Sequence, residues 1–126
     1  MKIAVVGSRF YPHEHLVRGF VRQIAAKDPT AIIVSGGARG VDRWAADEAR
    51  LCGLEVEEHL ADWDGPDGRR AGFVRNSTIV ARSEIIVAFW DGKSRGTRDT
   101  CRKAERQGKR LFVIDIAGKV PIRPGG

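Results

Sequence analysis

The 126 residues carry 22 Lys and Arg against 16 Asp and Glu, a formal net charge of +6, with 42% hydrophobic and 30% charged residues. This is an ordinary globular composition, enough for one domain whose core folds without disulfide staples. It excludes a membrane-spanning chain, because no apolar run approaches the ~20 residues of a span, and the positive excess favours polyanions and phosphates over cationic partners.

Met1-Lys2 leads straight into KIAVVG (2–7), a β-branched run ending at glycine that reads as a buried strand and leaves no place for a signal peptide. Val17, Phe20, Val21, Ile24 and Ala25 recur at helical spacing, predicting a helix over 13–27 that stops at Asp28-Pro29. AIIVSG (31–36) is a second buried strand. Val41, Trp44, Ala45, Ala49 and Cys52 stripe the next helix, with Gly53 at its C-terminal cap. LEVEEHL (54–60) alternates as a third, less buried strand, and ADWDGPDGRRAG (61–72) is a loop. A helix over 72–82 follows with Phe73, Ile79 and Val80 turned inward. EIIVAFW (84–90) is a fourth strand and DGKSRGT (91–97) a second glycine-bearing loop. Cys101, Ala104 and Gly108 stripe a last helix, and RLFVIDI (110–116) is a fifth strand.

Strands alternating with helices imply an α/β domain over residues 1–118, a Rossmann-like three-layer sandwich with a five-stranded, mostly parallel sheet, followed by a loose tail over 119–126. The denser basic stretch from Lys93 to Arg110 reads first as a solvated helix face, with a nucleic-acid patch as the alternative. Cys52 and Cys101 lack metal-ligand spacing and fit reduced packing residues of a cytoplasmic protein.

In such a sheet every loop that follows a strand lies along one edge, where ligands bind. GSRFY (7–11), SGGARGVD (35–42), ADWDG (61–65) and DGKSRGT (91–97) are therefore brought together. Their glycines, arginines and helix starts suit a phosphate-bearing ligand, although Gly36 and Gly37 also serve a tight turn and Asp42 also answers a helix dipole. Phe10, Tyr11, Trp63 and Trp90 are the aromatic residues near this edge. Neither GxxxxGK[ST] nor an early GxGxxG is present. No metal site is expected, since His13 and His15, two apart on a helix, point to different faces and DWDGPDG lacks the closing glutamate of a calcium loop.

The ordered motifs GSR, SGGARGVDRWA, ADW, AGFVRN and GT resemble the YspA-like branch of the SLOG superfamily over about residues 2–116. That superfamily also holds the LOG nucleotide phosphoribohydrolases and the Rossmann domain of DNA-processing protein A. The resemblance implies a site for a nucleotide or nucleotide-derived ligand, NAD-like ligands included, with no required cofactor. It implies ligand contacts from Gly7, Ser8 and Arg9, from Ser35, Gly36, Gly37, Ala38, Arg39, Gly40 and Asp42, from Asp62 and Trp63, and from Arg75, Asn76, Gly92, Gly96 and Thr97. Amides of 36–40 with Ser8, Arg9 and Arg39 would hold phosphate. Arg75, Asn76 and Asp42 would meet ribose or the reacting bond.

Where LOG enzymes carry a catalytic glutamate, this chain has Thr100, with Asp99 about 100° away around a helix. The catalytic candidates are therefore Arg75, Asp42 and Asp99, for a sensor or an N-glycosidic-bond enzyme. The DNA-processing branch shares the glycine turn and the Arg-Asn helix, so a single-stranded nucleic acid is the rival ligand. The resemblance also admits a homodimer or higher homo-oligomer.

Overall fold

The structure, a computed structural model, describes residues 1–120; the expected tail, from residue 121 on, lies outside the described residues. Strands Lys2–Gly7 (β1), Ile32–Ser35 (β2), Glu55–Glu58 (β3), Ile85–Phe89 (β4) and Arg110–Ile114 (β5) alternate with helices Glu14–Lys27 (α1), Val41–Leu51 (α2), Ala71–Arg82 (α3) and Arg95–Arg106 (α4). A 3-10 turn over Gly68–Arg70 leads into α3.

All five strands are parallel, in the order β3-β2-β1-β4-β5, so the expectation of a mostly parallel sheet resolves to a fully parallel one. Successive side chains of a strand face opposite sides, and this divides the core in two. Ile3 and Val5 of β1 pack with Val17, Val21 and Ile24 of α1 and Val41, Ala45 and Ala49 of α2. Ala4 and Val6 face the other way, onto Ile79 and Val80 of α3 and Cys101 and Ala104 of α4. The chain moves outward from β1 through β2 to β3, then returns to the far side of β1 as β4. The loops after β1 and β4 therefore part at the centre of the sheet, where an open α/β sheet leaves a crevice.

Three local expectations change. Gly108 lies beyond α4 with φ +67°, a terminating glycine rather than part of the apolar stripe. Phe73 is 42% exposed instead of turned inward, because α3 starts at the carboxyl edge and its first turn overhangs the crevice. His13 precedes α1 as its N-cap, so its ring meets that of His15 edge-on at 5.7 Å rather than pointing away on another helix face. Among the described residues, no three His, Cys, Asp or Glu side chains are placed to share a metal ion, and no helix is long and apolar enough to cross a membrane.

Candidate functional site

At the carboxyl edge the post-strand loops and the starts of α3 and α4 enclose a cleft of about 870 Å³. Gly7, Arg9 and Phe10 reach it from β1, Ala38 and Asp42 from β2, Trp63 and Arg69 from β3, and Asp91, Lys93 and Ser94 from β4. Phe73, Arg75 and Asn76 of α3 and Gly96, Thr97 and Thr100 of α4 close it.

Its floor is built on the glycine turn from the buried Asp42 and the half-buried Arg75, whose charge acts on Asp42 without a close salt bridge. Asp42, in the first turn of α2, accepts the Gly7 amide at 3.0 Å and the Ala38 amide at 3.4 Å. Burial pushes its carboxyl up to about 6, while Arg75 and the amides of Gly7, Ala38 and Gly36 pull the other way. Arg75 in turn donates to the Gly36 carbonyl, to the His59 carbonyl at 3.4 Å and, through Nε, to Asn76 Oδ1 at 3.0 Å.

This pair explains Gly36. A Cβ there would stand 2.7 Å from Asp42 Oδ2 and 2.8 Å from Arg75 Nη1, so only glycine lets both side chains close over the strand end. Gly40 has a different cause: its φ is +79°, and a Cβ would run into the Arg9 backbone. The glycine-rich turn is thus shaped first by internal contacts. Amides of Gly36 and Ala38 that were expected at a phosphate are directed to Asp42, and the Gly37 amide goes to Ser35 Oγ at 3.2 Å.

Other predicted residues lie beneath or beside the cleft. Ser8 is buried, and its Oγ accepts the Asp91 amide at 3.0 Å, tying the β1 loop to the β4 loop. Ser35 is buried and donates to the Asp42 carbonyl at 3.2 Å. Gly37, Arg39, Asp62 and Gly92 do not line the cleft, and Arg39 and Asp62 extend into solvent. Asp99 faces the α3–α4 seam, held by Asn76 Nδ2 at 3.1 Å and Lys103 Nζ at 2.8 Å. Thr100 is buried on the cleft wall with its hydroxyl on the Gly96 carbonyl at 3.2 Å. The one-residue step between Thr100 and Asp99 thus separates a cleft-facing hydroxyl from a carboxylate that is structurally engaged.

Of the four aromatic residues expected at the edge, Tyr11 is in the core, with its hydroxyl on the Asp115 carbonyl at 2.6 Å. Trp90 is held by the Ser94 carbonyl at 3.1 Å and lies outside the cleft. Phe10, 81% exposed, and Trp63, 59% exposed, do line it. Phe73 joins them, a residue that sequence reasoning assigned to the core. Its position three residues before Asn76, on the same helix face, is the signal that would have found it. Arg69 and Lys93 were likewise missed, although each sits in a loop that follows a strand.

Arg9, Arg69 and Lys93 form no ion pair with any described residue. α4 begins at the same rim, capped by Ser94, whose Oγ accepts the Thr97 amide at 3.4 Å. The positive end of its dipole therefore meets the cleft beside Lys93. Asp91 offsets part of this charge: burial favours its neutral form, but the amides of Lys93 and Ser94 that it accepts hold it below the ordinary carboxylate range and so ionised.

Residues 1–65 match the family described as YspA, cpYpsA-related SLOG. The chain is 35% identical to the Gene 61 protein of Mycobacterium phage D29, over 94% of this chain and 98% of that one. Among solved structures it resembles DNA processing protein A from Helicobacter pylori, described for its single-stranded DNA binding mode (TM-score 0.71, 25% identity, 98% of this chain and 66% of that one). It has the fold of DNA processing protein A from Streptococcus pneumoniae (TM-score 0.68, 22% identity, 89% of this chain and 49% of that one). It also has the fold of the structural-genomics target TM1055 (TM-score 0.73, 20% identity, 90% of this chain and 73% of that one). The chain thus spans just under two thirds of the first of these structures and about half of the second.

Proposed function

The chain belongs to the YspA, cpYpsA-related SLOG family, and from that premise we propose that its carboxyl-edge cleft binds a small nucleotide or nucleotide-derived ligand. One observation carries the reading: three exposed aromatic rings share a cleft of about 870 Å³ with cations that have no ion-pair partner among the described residues. Apolar rings gathered in one concave place, rather than scattered, mark a binding surface. A base would stack among Phe10, Trp63 and Phe73. Phosphate would meet Lys93, Arg9 and the start of α4 at Gly96 and Thr97, because the amides of the glycine turn are engaged by Asp42. Ribose would lie over the Asp42–Arg75 floor.

The arrangement suits a sensor. Cleavage of an N-glycosidic bond adds hydroxide to C1′ and a proton to the departing base. Here that chemistry would fall to Asp42, the buried carboxylate on the cleft floor, with Arg75 holding the bound anion. Thr100 offers no charge to a developing ribosyl cation. A second reading, a single-stranded nucleic acid threaded through this same cleft, is favoured by the likeness to the H. pylori protein.

Native mass spectrometry of purified protein with AMP, ADP and NAD, one at a time, tests the primary reading. A 1:1 adduct with at least one of them, reduced in Phe73→Ala, supports it. Tight binding of a long oligonucleotide through the cleft, with every small nucleotide ignored, supports the second reading in its place.

A further inference from the structure

We infer that the outward face of α4 is a second anion-binding surface, adjoining the cleft at Asp91 and Ile116, that takes the phosphate backbone of a single-stranded nucleic acid. Arg95, Arg98, Arg102 and Arg106 are all exposed, and none has an ion-pair partner among the described residues. At 100° per residue they fall within roughly an 80° arc, and at 1.5 Å per residue they extend over roughly 16 Å. Neighbours along this row are three or four residues apart, a rise of about 4.5–6 Å, so each can take a successive phosphate of an extended strand.

Nothing within the helix calls for this pattern. Arg95 and Arg98 stand in the first turn, where no acidic residue is present and a positive charge opposes the dipole. The other charges of α4 are differently disposed: Lys103 and Asp99 pair inward at 2.8 Å, and Glu105 lies at the margin of the arc. The row thus concentrates unneutralised guanidinium on one face of a chain whose net charge is +6.

A mainly apolar groove of about 470 Å³ runs along its flank, lined by Arg98 and Arg102 with Trp90, Val113 and Ile116, and also by the carboxyl-bearing Asp91, Glu105 and Asp115. Guanidinium forks match phosphate oxygens in pairs, and an apolar groove with an indole beside them accepts an unpaired base. An acidic peptide would use the charges and leave the groove without purpose. A membrane surface would need apolar side chains interleaved with the arginines, and the four-residue row has none.

The test is fluorescence anisotropy of a labelled twelve-nucleotide oligothymidylate over a series of salt concentrations. Arg98→Gln/Arg102→Gln should weaken binding at least tenfold at low salt. It should also flatten the log–log salt dependence by about 1.4, at about 0.7 for each phosphate no longer neutralised. Arg43→Gln/Lys27→Gln removes the same charge from positions elsewhere on the surface and should change the affinity less than twofold. AMP binding, measured on the same variants by calorimetry, should be unaffected by the α4 pair, which separates this surface from the cleft. The inference is overturned by no oligonucleotide binding in the parent, by equal losses in both double variants, by loss of AMP binding in the α4 pair, or by a polyglutamate of equal charge competing as well as the oligonucleotide.

Discussion

Replacing Asp42 by asparagine removes a titrating group from the cleft floor while keeping its size. The folded-state value of about 6, against an ordinary 3.8, corresponds to about 3 kcal/mol favouring the neutral carboxyl in the folded protein. Because the value is raised, the stability that Asp42 contributes is fully present below pH 3.8 and is lost as pH rises through about 6. The carboxylates held below their ordinary range, Glu57 among them, act in the opposite direction, so the stability profile of the parent alone mixes the two effects. The difference between parent and Asp42→Asn isolates one group. Urea unfolding of both proteins from about pH 4 to about pH 7.5 should show the parent's advantage shrinking by about 2.4 kcal/mol, most of it between about pH 4 and about pH 6.5. A difference that stays flat across that range would refute the description of Asp42 as a carboxyl whose burial outweighs Arg75 and three amides.

Four other substitutions probe the site and the ion-pair cluster at Glu57 outside it. Gly36→Ala should destabilise by about 1–3 kcal/mol in urea unfolding, since its Cβ forces Asp42 and Arg75 apart in a packed floor. Phe73→Ala should leave the melting temperature within a few degrees of the parent yet weaken nucleotide binding by about 1–3 kcal/mol in calorimetry, the range for a base stacked on an aromatic ring. Asp99→Ala should lower stability by about 1–2 kcal/mol, because Asn76 and Lys103 lose their shared carboxylate, and should leave any base release from nucleoside monophosphates unchanged by chromatography. Glu57→Gln should flatten the acid limb of the stability profile, because the Arg82, Lys2 and His59 side chains that hold Glu57 low contribute stability that is lost as pH falls.

The fold was legible because four strands announced themselves as short apolar runs and the third as an alternating one, and every helix carried an apolar stripe. From that alternation, the parallel sheet and the convergence of the post-strand loops followed from general rules. Side-chain direction was less legible. Phe73 has the composition of a core residue, and only the placement of the first turn of α3 over the crevice shows that it faces the cleft. Tyr11 reads as an edge aromatic but turns into the core, because its hydroxyl finds the Asp115 carbonyl more than a hundred residues away in the chain. The glycine turn was legible as special, but its reason was not. A pattern of glycines records close approach without naming the approaching group, and at Gly36 that group is the protein's own Asp42–Arg75 pair.

The most direct measurement is a titration of AMP and of NAD into isotopically labelled protein, followed amide by amide by nuclear magnetic resonance. A nucleotide site in the cleft predicts saturable shifts for at least one of them, clustered on Gly7, Arg9, Phe10, Lys93, Gly96 and Thr97 and on the indole of Trp63. The outward residues of α4, Arg98 and Arg102, should remain still. Shifts confined to α4, or no shifts with either nucleotide at millimolar concentration, would contradict the assignment of the cleft as a nucleotide site.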